Sequence, residues 1–377
     1  MIYITIGESP SGVYESQVVG VCQRLSQLSG RRVLLVAFVS LRGYFKARSA
    51  IKRSYPHSCV LPMVPRLRRW KWNLPLLIAA CFGRSQKVCI ARGVLATQLA
   101  YRLRRMGLID RVVYDGRGAV TAEWQEFGQS WAPSLQTRIR DYERSAVTES
   151  NFRIAVSRKL VAHWRVEFGY SGHDHVIVPC TVNHDFEAEA RNVRADRETP
   201  RGAGRVVLVY SGSVAGWQGI DRLTRMVENL LHRVEYIDML FLCPPSPVVD
   251  RLVSLYPQRV RRDWTTPEKV PAVLSQADVG LLIREKSVTN QVASPVKLAE
   301  YLACGLPVLI SDEVGDYSEF VREHGCGRVV VESLSVEDVE ASLAMPTSPR
   351  KLCVEHFLKD SPPINRSYER LLSAVSP

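Results

Sequence analysis

One fourteen-residue run carries much of the chemistry legible in this sequence: Ser294-Pro295-Val296-Lys297-Leu298-Ala299-Glu300-Tyr301-Leu302-Ala303-Cys304-Gly305-Leu306-Pro307. Serine is a strong helix N-cap, proline suits the first helical position, and glycine followed by proline ends a helix. The pattern predicts a helix over 295–304 capped by Ser294, followed at once by a strand over 307–310. Backbone N–H groups at its start, at Val296 and Lys297, would hold a diphosphate together with the helix dipole. A lysine in the first turn opposes the dipole, which makes sense where an anion also sits. Glu300, one turn deeper on the same face, can accept from both vicinal hydroxyls of a ribose. The blander alternative is a solvated Glu300 that only pairs with Lys297.

A second constellation follows the apolar run 206–210: Ser211-Gly212-Ser213-Val214-Ala215-Gly216-Trp217-Gln218-Gly219-Ile220-Asp221. Glycines at 212, 216 and 219 let backbone approach a phosphate closely. The spacing is neither that of a P-loop nor that of the dinucleotide fingerprint. Between the two constellations, Arg284 ends another apolar run, 279–283. In the first half, Val112-Val113-Tyr114-Asp115-Gly116-Arg117-Gly118 places an acid and a base just past a strand, with Glu123 downstream. Such a turn can meet the hydroxyls of a sugar acceptor, or Asp115 and Arg117 can pair locally to fix it. The loop Gly7-Glu8-Ser9-Pro10-Ser11-Gly12-Val13 lies between a strand and a helical pattern. Arg66, Arg68, Arg69, Trp70, Lys71 and Trp72 interleave bases with indoles beside the apolar stretch 74–78. That composition suits an anionic membrane surface, where each cation contributes on the order of 1 kcal/mol. It also fits a solvated basic face. Single-stranded nucleic acid is disfavoured as a partner, because a sheet of buried parallel strands exposes no stacking platform.

These residues need elements to position them. Uninterrupted apolar runs at 2–6, 33–39, 88–90, 112–114, 153–156 and 175–178, then at 206–210, 237–242, 279–283, 307–310 and 327–330, predict strands buried on both faces. Two such series separated by helical patterns predict an α/β protein of two doubly wound, Rossmann-like domains, with sites at the strands' carboxyl ends and the reaction in an interdomain cleft. The charged, Gly/Pro-containing stretch 187–205 is expected to be a linker. The expected domains are 1–186 for the acceptor and 206–360 for the donor, with 361–377 a helix packing back on the first. At 377 residues, two domains are also the default on size.

Charge is unevenly divided. Residues 1–185 hold 27 Lys+Arg against 12 Asp+Glu, and residues 186–377 hold 23 against 26, which together give the net +12. Between Ser16 and Ile109 there is no carboxylate and there are 18 cations. The first half is therefore oriented towards something anionic. The nine cysteines have no metal-knuckle spacing and are expected to be free thiols of a reducing compartment. The start lacks the marks of a secretory signal and no run is long enough to span a membrane, so a cytoplasmic chain is expected.

Taken together, Tyr210-Ser211-Gly212-Ser213 with Gly216-Trp217-Gln218-Gly219-Ile220-Asp221, the strand Ala277-Asp278-Val279-Gly280-Leu281, and the run from Ser294 to Pro307 resemble the donor half of glycosyltransferase family 4, of GT-B architecture. Ala155-Val156-Ser157 and Val178-Pro179-Cys180-Thr181-Val182-Asn183 resemble the end of that family's acceptor domain. The Ser-Pro-x-Lys-x-x-Glu-Tyr-Leu form resembles a branch working in bacterial surface-polysaccharide assembly. The resemblance implies a GT-B fold and transfer of a sugar, with retention, from a nucleoside-diphosphate sugar to a lipid-linked or oligosaccharide acceptor. It implies no required metal or other cofactor, and the basic-aromatic segment adds the expectation of peripheral placement on the inner face of the cell membrane. It implies donor-binding roles for Gly12, Gly212, Ser213, Gln218, Gly219, Ser294, Pro295, Val296, Lys297 and Glu300, and catalytic or acceptor-side roles for Asp115, Arg117 and Glu123; Arg284, at a strand end, joins Lys297 as a candidate diphosphate cation because Gln218 replaces the family's lysine. Val292 and Gln218 stand where the family often has Glu and Lys. Rival readings are a GT-B-like sugar-nucleotide epimerase and a non-catalytic membrane- or polymer-binding protein.

Overall fold

The computed structural model describes residues 1–65, 67–83, 87–128, 133–195 and 204–375, without the side chains of 68, 133, 134, 194 and 195. The chain divides into two compact units, Met1–Pro179 with Pro362–Pro377, and Cys180–Ser361. Each is built on one parallel sheet.

The first sheet has seven strands: β1 (Ile2–Ile6), β2 (Leu34–Ser40), β3 (Ser58–Met63), β4 (Val88–Arg92), β5 (Arg111–Gly116), β6 (Phe152–Ala155) and β7 (His175–Ile177). Their order is β3-β2-β1-β4-β5-β6-β7. The second sheet has six: β8 (Val206–Ser211), β9 (Ile237–Leu242), β10 (Val260–Asp263), β11 (Val279–Leu282), β12 (Val308–Ser311) and β13 (Gly327–Val330), in the order β10-β9-β8-β11-β12-β13. Every pairing is parallel and almost every inner-strand residue is buried. This is the pattern that continuous apolar runs demand when helices cover both faces. The strand order reverses direction beside β1 and beside β8, so the loops after β1, β4, β8 and β11 open on each unit's topological switch point.

Two strands escaped the sequence reading, β3 and β10, and both lie at sheet edges. An edge strand is half solvated, so β3 is fully buried at only three of its six positions and β10 reads Val-Arg-Arg-Asp. The stretch expected to be a linker is different in kind. His184–Ala195 is a helix of the second unit, with Ala190 and Glu187 buried and Phe186 packed against the core. Its apolar stripe is only Phe186 and Ala190, too thin to stand out among the charges; residues 196–203 lie outside the described residues. The last helix, Pro362–Val375, buries Ile364, Tyr368, Leu371 and Val375 in the core of the first unit. All nine cysteines are free thiols, and no helix among the described residues is long and apolar enough to cross a membrane.

Candidate functional site

In the second unit the site forms where β8 and β11 end. Gly212, at φ +143°, starts the turn after β8, and a Cβ there would lie 2.3 Å from Lys297 Cε. The lysine's side chain occupies the space that a side chain at 212 would need, and φ +143° itself favours glycine there. Lys297 Nζ donates to Gln218 Oε1 at 2.6 Å and stands 4.0 Å over the ring of Tyr210. Gln218 belongs to the tight turn Gly216–Gln218, and Gly219 packs against the backbone of Arg284 and Glu285.

Arg284, one residue past the end of the β11 run, is buried as well. Its Nη1 donates to Trp217 O (3.0 Å) and Asn290 Oδ1 (2.9 Å), while its Nε has no hydrogen-bond partner. Its backbone is fixed by Ser311, whose Oγ accepts from Arg284 N and donates to Arg284 O. Two cations are thus buried near one another, and neither is ion-paired among the described residues. Burial lowers the pKa of Arg284 to about 10. Burial, then repulsion from Arg284, holds Lys297 well below the ordinary lysine value. Taking a charge out of water without a counter-charge costs several kcal/mol, so this arrangement is poised for an anion.

Glu300 does not pair with Lys297, which is committed to Gln218. Its carboxylate has no hydrogen-bond or ion-pair partner among the described residues and stays partly exposed. Burial of its surroundings raises its pKa to about 7, an effect that Lys297 tempers.

The helix bearing these residues differs from expectation at its start. It runs Lys297–Ala303, with Val296 in the cap position and no side-chain cap. Ser294 does not cap it, because its Oγ accepts from Cys180 N at 2.9 Å and is bonded to Tyr317 OH at 2.7 Å. The first turn begins with Leu298 N to Pro295 O and Glu300 N to Val296 O, which leaves the Val296 and Lys297 amides ahead of the ladder. Below, Tyr301 lies against Gly280, where a Cβ would come 2.5 Å from its ring. Its hydroxyl accepts from Ser211 N (2.9 Å) and donates to Leu281 O (3.2 Å), tying the helix to β8 and β11. Ser213 is exposed, and its carbonyl accepts from Tyr210 OH at 2.5 Å.

The first unit has its own charged cluster at the ends of β1, β4 and β5. Asp115 is buried and accepts from Tyr3 OH, from Arg92 Nη1 at 3.5 Å and from Arg117 Nη1 at 3.4 Å. Arg92, also buried, donates through Nε to both oxygens of Glu8, at 2.9 and 3.0 Å. Burial alone would lower the Arg92 pKa; Glu8, Tyr3 and Asp115 raise it well above the usual value. Arg117 also reaches Gln17 Oε1 at 3.4 Å, in a π-helical turn (Glu15–Val19) of the first helix. Gly12 begins that helix, whose cap is Ser11. Asp115 is therefore held within the fold, with Tyr3, Arg117 and the more deeply buried Arg92 around it. Glu123 sits in the first turn of Val120–Phe127 with its pKa raised by burial. That helix start is capped from outside, by Glu143, which accepts from Val120 N (2.9 Å) and Thr121 N (2.7 Å).

The basic-aromatic segment is only partly outward. Trp70 is buried, packed edge-on against Tyr142 at 5.7 Å with Arg102 over its ring at 4.7 Å, so it does not face a membrane. Its apolar body found a core pocket that sequence spacing does not reveal. Trp72 is 65% exposed with Arg69 stacked on it at 5.6 Å, and Lys71 is exposed. Arg66 and the side chain of Arg68 lie outside the described residues. Arg92, Glu8, Asn290, Tyr210 and Glu143 were not singled out from sequence. Their one signal was position, because Arg92 and Tyr210 close apolar strand runs. Among the described residues no group of three or more His, Cys, Asp or Glu is placed to hold a metal ion.

Residues 205–344 match the family model of Glycosyl transferases group 1. No curated protein matches the sequence significantly. Among solved structures, the fold is similar to sucrose-phosphate synthase from Thermosynechococcus elongatus (TM-score 0.72, 14% identity, 99% of each chain). It is also similar to Anabaena Alr3699/HepE in complex with UDP and glucose (0.69, 12%, 99% of each). A third is the lipopolysaccharide outer core galactosyltransferase WaaB (0.64, 13%, 100% of this chain and 99% of that one). At these identities the likeness establishes the fold, which is GT-B. The family-model match lies within the second unit, and with the fold it marks the chain as an enzyme of glycosyl transfer.

Proposed function

We propose that this enzyme moves a sugar from a nucleoside-diphosphate sugar to a lipid-linked or oligosaccharide acceptor in bacterial surface-glycan assembly, at the cytoplasmic face of the membrane. The carrying observation is the pair Lys297 and Arg284, buried together with no carboxylate ion-paired to either among the described residues. A diphosphate supplies the missing negative charge. As the bond from the sugar's anomeric carbon to the diphosphate oxygen breaks and a bond to the acceptor oxygen forms, charge accumulates on the leaving diphosphate. Lys297 and Arg284 stabilise that charge in a site already ordered to receive it. The acceptor hydroxyl's proton leaves to the departing phosphate or to solvent. Glu300, unpaired and partly accessible, accepts from the ribose hydroxyls. That the Anabaena protein of the same fold was solved with UDP and glucose supports a nucleotide-sugar donor. Retention and independence of metal are part of this reading, and rest on the resemblance of 294–307 and 211–221 to family 4.

Titrating UDP, GDP and ADP into the purified chain tests the proposal. At least one should bind more tightly than millimolar, and Lys297→Met should abolish that preference. If none does, the donor reading fails. Donor turnover with and without added acceptor, in the presence of a chelator, then separates transfer from epimerisation.

A further inference from the structure

The first unit exposes an apolar and cationic face that the donor chemistry does not use. Helix Tyr44–Ser54 turns Tyr44, Ala47 and Ile51 inward; Tyr44 OH donates to Val60 O at 2.9 Å and Ile51 is buried. On the adjoining outward face, about a quarter-turn round the helix, Phe45 is 83% exposed, in line with Arg48 and Lys52 at helical spacing. One turn before it, Leu41 is 54% exposed just past the end of β2. Ser40 pairs in register with Met63, so exposed Val64 lies at the neighbouring end of β3. Around these apolar tips stand Arg42, Lys46, Arg48, Lys52 and Arg53, all exposed and none ion-paired among the described residues. No carboxylate occurs in the sequence between 16 and 109 to neutralise them.

We infer that this face, centred on Phe45, docks the enzyme on an anionic lipid bilayer. Charge complementarity selects a surface dense in negative headgroups. Apolar tips among cations select an interface with an acyl layer beneath it, where Phe45 and Leu41 insert and the bases remain at headgroup level. RNA would use the bases but leave the aliphatic Leu41 and Val64 in water. The face lies at the strand ends where Asp115 and Glu8 also sit, so docking would bring that end of the unit to lipid-borne material. The inference rests on the proposed placement at the membrane and is carried by exposure and charge, separately from the donor site.

The test is flotation of the full chain with vesicles of phosphatidylcholine alone and of equal parts phosphatidylcholine and phosphatidylglycerol. Binding should appear only with the anionic vesicles and weaken with salt. Each cation contributes a factor of about five, so K46E/R48E/K52E should lower partitioning by at least about a hundredfold. F45S should weaken binding to anionic vesicles without changing the unfolding midpoint, since Phe45 is outside the core. Equal binding to neutral vesicles, no binding to either, or insensitivity to F45S overturns the inference. So does displacement of bound vesicles by a single-stranded RNA oligomer that binds F45S as well as the wild type. UDP affinity, measured in parallel, reports separately on the donor reading.

Discussion

The two units solve the same problem, buried charge at the end of a parallel sheet, in opposite ways. In the first, Arg92 meets Glu8 and Asp115, and Asp115 also receives Tyr3 and Arg117. In the second, Lys297 and Arg284 meet only neutral oxygens and an aromatic face. A compensated cluster holds a scaffold together and has no need of a ligand. An uncompensated one raises the energy of the empty state and returns that energy to whatever anion binds. The contrast separates structure from function more sharply than burial does, because all four charges Arg92, Asp115, Lys297 and Arg284 are less than 10% exposed.

Substitutions can break this contrast. Arg92→Met should have the largest effect on folding, a loss of about 3–5 kcal/mol in denaturant unfolding, because it breaks a buried ion pair that joins Glu8 to Asp115 and leaves Glu8 without its two-pronged partner. A loss under about 1 kcal/mol would mean that the cluster is not a scaffold. Lys297→Met should leave the stability of the ligand-free protein within about 1 kcal/mol, since it removes a poorly solvated charge. The same change should weaken diphosphate binding about a hundredfold by calorimetry, the scale of a lost charge-assisted contact. Equal losses of stability in the two variants would dissolve the comparison.

A smaller effect is expected from Glu300. With its pKa raised to about 7, its carboxylate is lost as pH falls through that value, and with it the stronger acceptor for ribose hydroxyls. Donor affinity should fall several-fold from pH 8 to 6, as about one pH unit either side of that pKa requires, and Glu300→Gln should remove this dependence. A pH profile unchanged by the substitution would take Glu300 out of the nucleotide site. Smallest is Arg117→Ala. Arg92 and Tyr3 already serve Asp115, so the change should cost less than about 1 kcal/mol in stability, whereas its effect on turnover, scored with a fixed donor, tells whether Arg117 also meets acceptor.

The architecture was legible because inner strands of parallel sheets are written as apolar runs, such as Val-Val-Leu-Val-Tyr at β8. The edge strand Val260–Asp263 carries no such signature, since half its surface is solvated. Lys297, Arg284 and the glycine turn could be singled out because their types and spacing are local in sequence, and the structure brings them together. Ser294 was misassigned for the same reason. A Ser-Pro pair before a helix is a good cap signal, but here the hydroxyl answers to Cys180 and Tyr317, 114 and 23 residues away. Arg92 was invisible because its role exists only once β1, β4 and β5 lie side by side. Trp70 was read as outward from its basic neighbours, and only the packing of Tyr142 and Arg102 decides otherwise.

The contact of Tyr301 with Gly280 has a consequence for how donor preference can drift. The thickness of one phenol ring sets the spacing between the sheet and the helix that carries Lys297 and Glu300. A methyl group at 280 would act as a shim, lifting or tilting that helix while leaving every side chain that faces the nucleotide unchanged. Under the proposed function, donor affinity is thus adjustable from underneath, through Gly280 and Tyr301, which are buried behind the helix.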